Sequence, residues 1–170
     1  MDVRWIERIL LRDLETMKRE VTSFPDETTL WATPPGIANS AGTLALHAAG
    51  NIRHFIGAGL GQSGYRRDRE REFTARGVAR DSIVAELDEA IEAVRQTLGS
   101  GAAFDLKAEY PETVAGKFRV RTGDWLIHLA THLAFHVGQV GYLRRMITAD
   151  PKPVPAVGIA ELATAVRQPD

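Results

Sequence analysis

His128-Leu129-Ala130-Thr131-His132-Leu133-Ala134-Phe135-His136-Val137-Gly138-Gln139 is the stretch on which the fold and the chemistry of this chain turn. Its histidines recur at i, i+4 and i+8. On a helix with 3.6 residues per turn, a step of four is one turn plus about 40°, so the three rings form a slowly drifting stripe. Two imidazoles at i and i+4 can converge on one metal ion, with metal–nitrogen distances of about 2.0–2.1 Å. The spacing predicts a helix that Thr122 or Asp124 can cap and that runs to about Ile147. One face of it is suited to a metal.

Three further helices are predicted outward from this one. Asn39 or Ser40 can cap a helix reaching about Gly59, with Leu44, His47, Ala48, Ile52 and Phe55 on or near one face. His47, Asn51 and His54 share a face of that helix at i, i+4 and i+7. From about Asp2 to Val21, Ile6, Leu10, Leu14, Met17 and Val21 form an apolar stripe, opposite Arg8, Arg12, Glu15, Arg19 and Glu20. From about Asp81 to Leu98 the stripe is Ile83, Leu87, Ile91, Val94 and Leu98, and Gly99-Ser100-Gly101 supplies the stop.

The connections are distinct in composition. Pro25, Pro34, Pro35 and Gly36 interrupt the stretch from Ser23 to Ser40. Leu30 and Trp31 stand out within it, and such an aromatic packs over the end of a core or, less often, lines a pocket. Gly57 to Phe73 is rich in glycine and carries Arg66-Arg67-Asp68-Arg69-Glu70-Arg71-Glu72, whose charges nearly cancel. That run reads as a solvated loop in preference to an anion site. Phe104-Asp105-Leu106 and Phe118-Arg119-Val120 alternate like paired strands. The proline-rich tail leads to a short helix around Ile159 to Val166. The whole is an all-α single domain over residues 1–170: a four-helix bundle with a long crossover between helices 2 and 3 and a short hairpin before helix 4.

Composition narrows the function classes. The chain has 170 residues, five histidines, no cysteine and a formal net charge of -1. Near-neutrality argues against a nucleic-acid partner. The missing cysteine excludes a disulfide scaffold, a thiolate metal site and a cysteine nucleophile, so any thiol chemistry needs a thiol from outside. No apolar run reaches spanning length, and Asp2, Arg4 and Glu7 interrupt the first turns. The expectation is a cytoplasmic protein with a small-molecule substrate and no membrane partner.

All five histidines fall on two predicted helices. Burying several imidazoles is costly unless each nitrogen has a partner, and one shared cation satisfies several at once. A cation is the better reading for His47, His132 and His136; ordinary packing is the better one for His54 and His128. If helices 2 and 4 are antiparallel, with His47 level with the His132–His136 midpoint, His54 and His128 face each other roughly 10 Å further on. There they would flank a substrate group or bond each other.

Leu46-His47, Asn51-Ile52-Arg53-His54-Phe55 and His132-Leu133-Ala134-Phe135-His136-Val137-Gly138-Gln139 together resemble the DinB/YfiT-like superfamily of metalloenzymes, the last through its HxxxH-x-GQ signature. The resemblance covers most of the chain. It implies a four-helix bundle, a divalent metal (zinc or nickel) held by His47, His132 and His136, and a homodimer. Characterised relatives are thiol-dependent transferases or isomerases using bacillithiol or mycothiol, and others are called DNA-damage-inducible. His128 is an addition to the signature. Gln139, three residues after His136, could support that ligand or bond a neighbouring segment. Helix packing would explain Gly138.

Three functions follow as alternatives. The first is a metal-dependent enzyme such as a low-molecular-weight-thiol S-transferase, or a hydrolase working through metal-bound hydroxide. In it, Asn51 and His128 are candidates for supporting the ligands or touching substrate. Tyr65, Arg67 and Arg69 could meet an anionic substrate if their loop covers the pocket. The second is a non-catalytic, stress-related dimer with a structural metal, which calls for a fourth protein ligand. The third is a helical interaction module whose histidines are only packed.

Overall fold

The computed structural model describes residues 2–101, 104–154 and 166–167. All the regular elements among them are helical: α1 (Val3–Thr22), α2 (Glu27–Leu30), α3 (Ala41–Ile52), α4 (Arg69–Thr74), α5 (Arg80–Leu98) and α6 (Thr122–Thr148). α3 continues directly into a π-helical segment, Arg53–Ala58. The four long helices are those expected from the apolar stripes.

Each start has a local cause. Asp2 accepts from the Arg4 amide at 2.9 Å, and Ser40 Oγ accepts from the Thr43 amide at 3.1 Å, each filling an amide that the first turn leaves unpaired. α6 differs from expectation. Arg121 occupies its N-cap with no side-chain bond, so neither Thr122 nor Asp124 caps it. Its start is held instead by the preceding segment, through Gly123 N–H to Leu106 O at 2.9 Å.

Residue pairs fix the directions. Lys18 meets Asp88, and Gly99 lies beside the Glu7 carboxylate, so α1 and α5 are antiparallel. Arg53 pairs with Glu89 and Gly57 abuts Ala93, so α3 and α5 are parallel. His47 meets His132 while Phe55 meets Trp125, so α3 and α6 are antiparallel. The parallel α3–α5 pair is what requires the long crossover, residues 59–79, to return along the bundle's length. Leu10, Leu14, Met17, Ile52, Ile83, Leu87, Ile91, Leu126 and Leu129 fill the shared core.

α3 is buried along its whole length, including His47 and Asn51. A helix apolar on every side and built from small residues can lie inside a bundle rather than on it. This forces His47 into the interior.

Several expectations need correction. The run Arg69–Thr74 is α4, not a solvated loop: Asp68 caps it by accepting from the Arg71 amide at 2.8 Å, and Glu72 is buried. Glu20, placed on the polar face of α1, is buried too. The hairpin before α6 reduces to two isolated antiparallel bridges, Glu109 with Arg121 and Val114 with Phe118, and Phe104-Asp105-Leu106 is not the partner. Trp31 packs against the core, with its indole N–H on Val78 O at 3.1 Å. The helix expected around Ile159 to Val166 lies, apart from Val166, outside the described residues. None of the helices searched among the described residues is long and apolar enough to cross a membrane.

Candidate metal centre

His47 from α3 and His132 and His136 from α6 bring their imidazoles together at mid-bundle. His132 Nε2 is 3.1 Å from His47 Nε2 and 3.2 Å from His136 Nε2. Tetrahedral ligands at 2.0–2.1 Å from one ion stand about 3.3 Å apart, so the spacing is that of ligands around a common point.

The outward nitrogens decide the protonation. Glu72 Oε2, a carboxylate oxygen that can only accept, lies 3.0 Å from His47 Nδ1, closer than Arg67 Nη2 at 3.2 Å, so His47 Nδ1 donates to it. His136 Nδ1 likewise donates to Gln139 Oε1 at 2.7 Å. A neutral imidazole carries one N–H, so in both rings Nε2 is left as a lone pair. Both lone pairs face the same nitrogen of His132. One N–H there could serve only one of them, whereas a divalent cation serves all three. The donor set therefore fits a divalent metal ion, for which imidazole is a suitable ligand.

The electrostatics keep the site neutral and receptive. Burial, followed by the neighbouring His136 and His47, lowers the His132 pKa to about 4. Burial lowers that of His136 as well, against the opposing bond to Gln139. Burial pushes the Glu72 carboxyl up, but its bonds from Arg67 and His47 outweigh this and hold it below the usual range.

A sign follows for the metal-free protein. As pH falls from 6.5 towards 4, the unfolded chain takes up a proton that folded His132 refuses, so stability is expected to fall across that window. Urea unfolding midpoints near pH 7 and near pH 5 check it, and a midpoint that rises on acidification contradicts it.

The other candidates separate. Asn51 is buried one turn beyond His47. Gln139 supports His136, as its position three residues on suggested. Arg67 lies at the site, with Nε to Glu72 Oε1 and Nη2 to Glu72 Oε2 both at 2.7 Å, and its Nη2 also stands 3.2 Å from His47 Nδ1. Tyr65 is instead under the Arg53 guanidinium at 3.9 Å, in a surface groove with Glu89 and Gln96. Exposed Arg69 lies over Phe73.

His54 and His128 do not pair with each other. His54 Nε2 is 3.2 Å from Glu112, and His128 is exposed, stacked between Trp125 and His132. His54 stands near the start of the π-helical turn that follows α3. Tyr110 secures that turn by donating its hydroxyl to Phe55 O at 2.6 Å, in space that Gly59 leaves open.

Glu72 is the residue that sequence reasoning missed. Asp68 is a readable N-cap that would have made Arg69–Thr74 a helix. Nothing local says which of its charges turns inward.

Gly138 has no atom within 4 Å of where a Cβ would sit, so no neighbouring helix within the described chain explains it.

The model of the DinB superfamily matches residues 10–140, which run from within α1 through most of α6 and contain His47, His132 and His136. No curated protein and no solved structure matches the chain.

Proposed function

We propose that this chain, which belongs to the DinB superfamily, is a metal-dependent enzyme that transfers a low-molecular-weight thiol to an electrophilic small molecule. The observation that carries the reading is the ligand count. Three histidines converge, and no fourth metal-capable side chain joins them among the described residues. Structural zinc sites close with four protein ligands, whereas catalytic ones keep a position for water or substrate. That favours catalysis over a structural metal.

A divalent ion held by His47, His132 and His136 would supply Lewis acidity, favouring the thiolate form of a thiol that reaches it. The remaining roles belong to the chain. Glu72 and Gln139 hold two of the ligand rings in place. Buried α3 and the buried Glu72 of the crossover line one side of the centre. His128 lies on the exposed side, next to His132, where it can take the proton that the thiol gives up. With no cysteine in the chain, the sulfur comes from the cosubstrate.

The test is cobalt-substituted protein titrated with bacillithiol, mycothiol and glutathione, together with a metal-dependent assay of thiol transfer to a bimane electrophile. A sulfur-to-cobalt charge-transfer band and metal-dependent adduct formation with one thiol are expected. Absence of both with every thiol overturns the reading. Metal-dependent ester or amide cleavage without thiol would replace it with hydrolysis.

A further inference from the structure

Two residues of the crossover converge on the outward nitrogen of His47, and a glycine of α3 makes room for one of them. Glu72 places Oε2 3.0 Å from Nδ1 while remaining only 3% exposed. Arg67 grips both oxygens of that carboxylate. α3 has glycine at position 50, where a Cβ would collide with the Glu72 carboxylate and lie 2.9 Å from its Cδ. A buried carboxylate is costly unless it is paired and hydrogen-bonded, and here Arg67 and His47 together satisfy it.

α4 is itself anchored. Phe73 packs on the His47 ring with centroids 4.8 Å apart. Arg71 reaches Glu86 of α5 at 2.7 Å. The segment that carries Glu72 is thus fixed both to the metal-facing helix and to its neighbour.

We propose that Glu72, clamped by Arg67 and seated over Gly50, is the positioning residue of the metal centre. It holds His47 in the tautomer with its proton on Nδ1, so that the Nε2 lone pair faces inward. This rests on the metal-binding reading above. Docking of the crossover helix and loading of the metal are then reciprocally coupled: each favours the other by the same factor. Arg67 fixes the carboxylate through both oxygens, and Oε2 accepts from His47 Nδ1 as well as from Arg67 Nη2.

Two substitutions test this by different routes. Glu72→Gln removes the charge and lets the side chain donate to His47 as readily as accept. Gly50→Ala keeps Glu72 but displaces the end of its side chain, and alanine is the better helix former, so loss of α3 does not explain its effect. The readouts are Zn²⁺ affinity, by competition with a chromogenic chelator, and the ¹H–¹⁵N correlations of the histidine rings in metal-free protein.

Each variant is expected to bind Zn²⁺ about 10–100-fold more weakly than the parent chain. The parent is expected to carry the His47 proton on Nδ1, and Glu72→Gln to show a mixture of tautomers. Parental affinity in both variants, or a His47 proton on Nε2 in the parent, overturns the role of Glu72. If the parent itself fails to bind Zn²⁺, the metal reading falls, and the tautomer measurement still decides what Glu72 does.

Discussion

His132→Ala is expected to abolish tight metal binding, with a loss exceeding the roughly 100-fold upper range seen when a ligand's supporting partner is removed. His132 is the middle of the three. The two short Nε2–Nε2 separations, 3.1 and 3.2 Å, both run to it. Removing it leaves His47 and His136 without the donor between them, and two imidazoles do not make a stable site for zinc, which takes at least three protein ligands. His128→Ala is the control. That ring is one turn earlier on the same helix but stacks on His132 and is exposed, so affinity should stay close to that of the parent. Metal content after chelator-free purification and a competition titration measure both. If His132→Ala retains the parental stoichiometry and affinity, the three-histidine centre is wrong.

The centre was readable from sequence to the extent that its parts are local. His132 and His136 lie one turn apart on one helix, and helical geometry alone puts them on one face. His47 was readable because its neighbours Leu44, Ala45, Leu46 and Ala48 leave an imidazole nowhere to go but inward. Gln139 followed from its position three residues after His136. Glu72 was not readable in this way. It sits in a run of alternating charges, and an alternating run has no apolar stripe to show which face turns in. Its burial is decided at a distance, by the space over Gly50 and by Arg67. The partner of His54 was no more readable: Glu112 lies on the segment before α6, and nothing in the spacing of α3 points to it.

The same contrast explains the outer faces. The stripe Leu10, Leu14, Met17 and Val21 correctly identified the centre of α1's buried surface. Asp13, Thr16 and Glu20 lie to one side of that stripe, roughly 60–120° from its centre, and all three are buried. A polarity pattern counts them as surface, but the helix is covered beyond the width of its apolar stripe. On α6 the error runs the other way: Phe135 is 62% exposed and Tyr142 is 74% exposed, although both are large and aromatic. Hydrophobicity identifies what could be buried; only packing determines what is.

Glu20 leads to the largest stability effect expected of the chain. It is 4% exposed, and its partner Arg144 of α6 is 2% exposed. Arg144 Nε donates to Glu20 Oε2 at 2.6 Å, and Nη2 donates to Lys152 O at 2.7 Å, so one guanidinium joins α1, α6 and the segment after α6. A buried ion pair of this kind adds little beyond what two apolar residues would, because desolvation offsets most of the attraction. Losing one partner is different. Arg144→Met leaves a carboxylate in the interior with no countercharge and should destabilise the fold by about 3–5 kcal/mol. For a chain of this size that lowers the thermal midpoint by roughly 6–20 °C. The double variant Glu20→Met with Arg144→Met removes both charges and should recover most of the loss, since the remaining carbonyl, on exposed Lys152, can turn to water. Denaturant unfolding of the parent, the two single variants and the double variant completes the cycle. A double variant as unstable as Arg144→Met alone would mean that lost packing, not the unpaired charge, sets the cost.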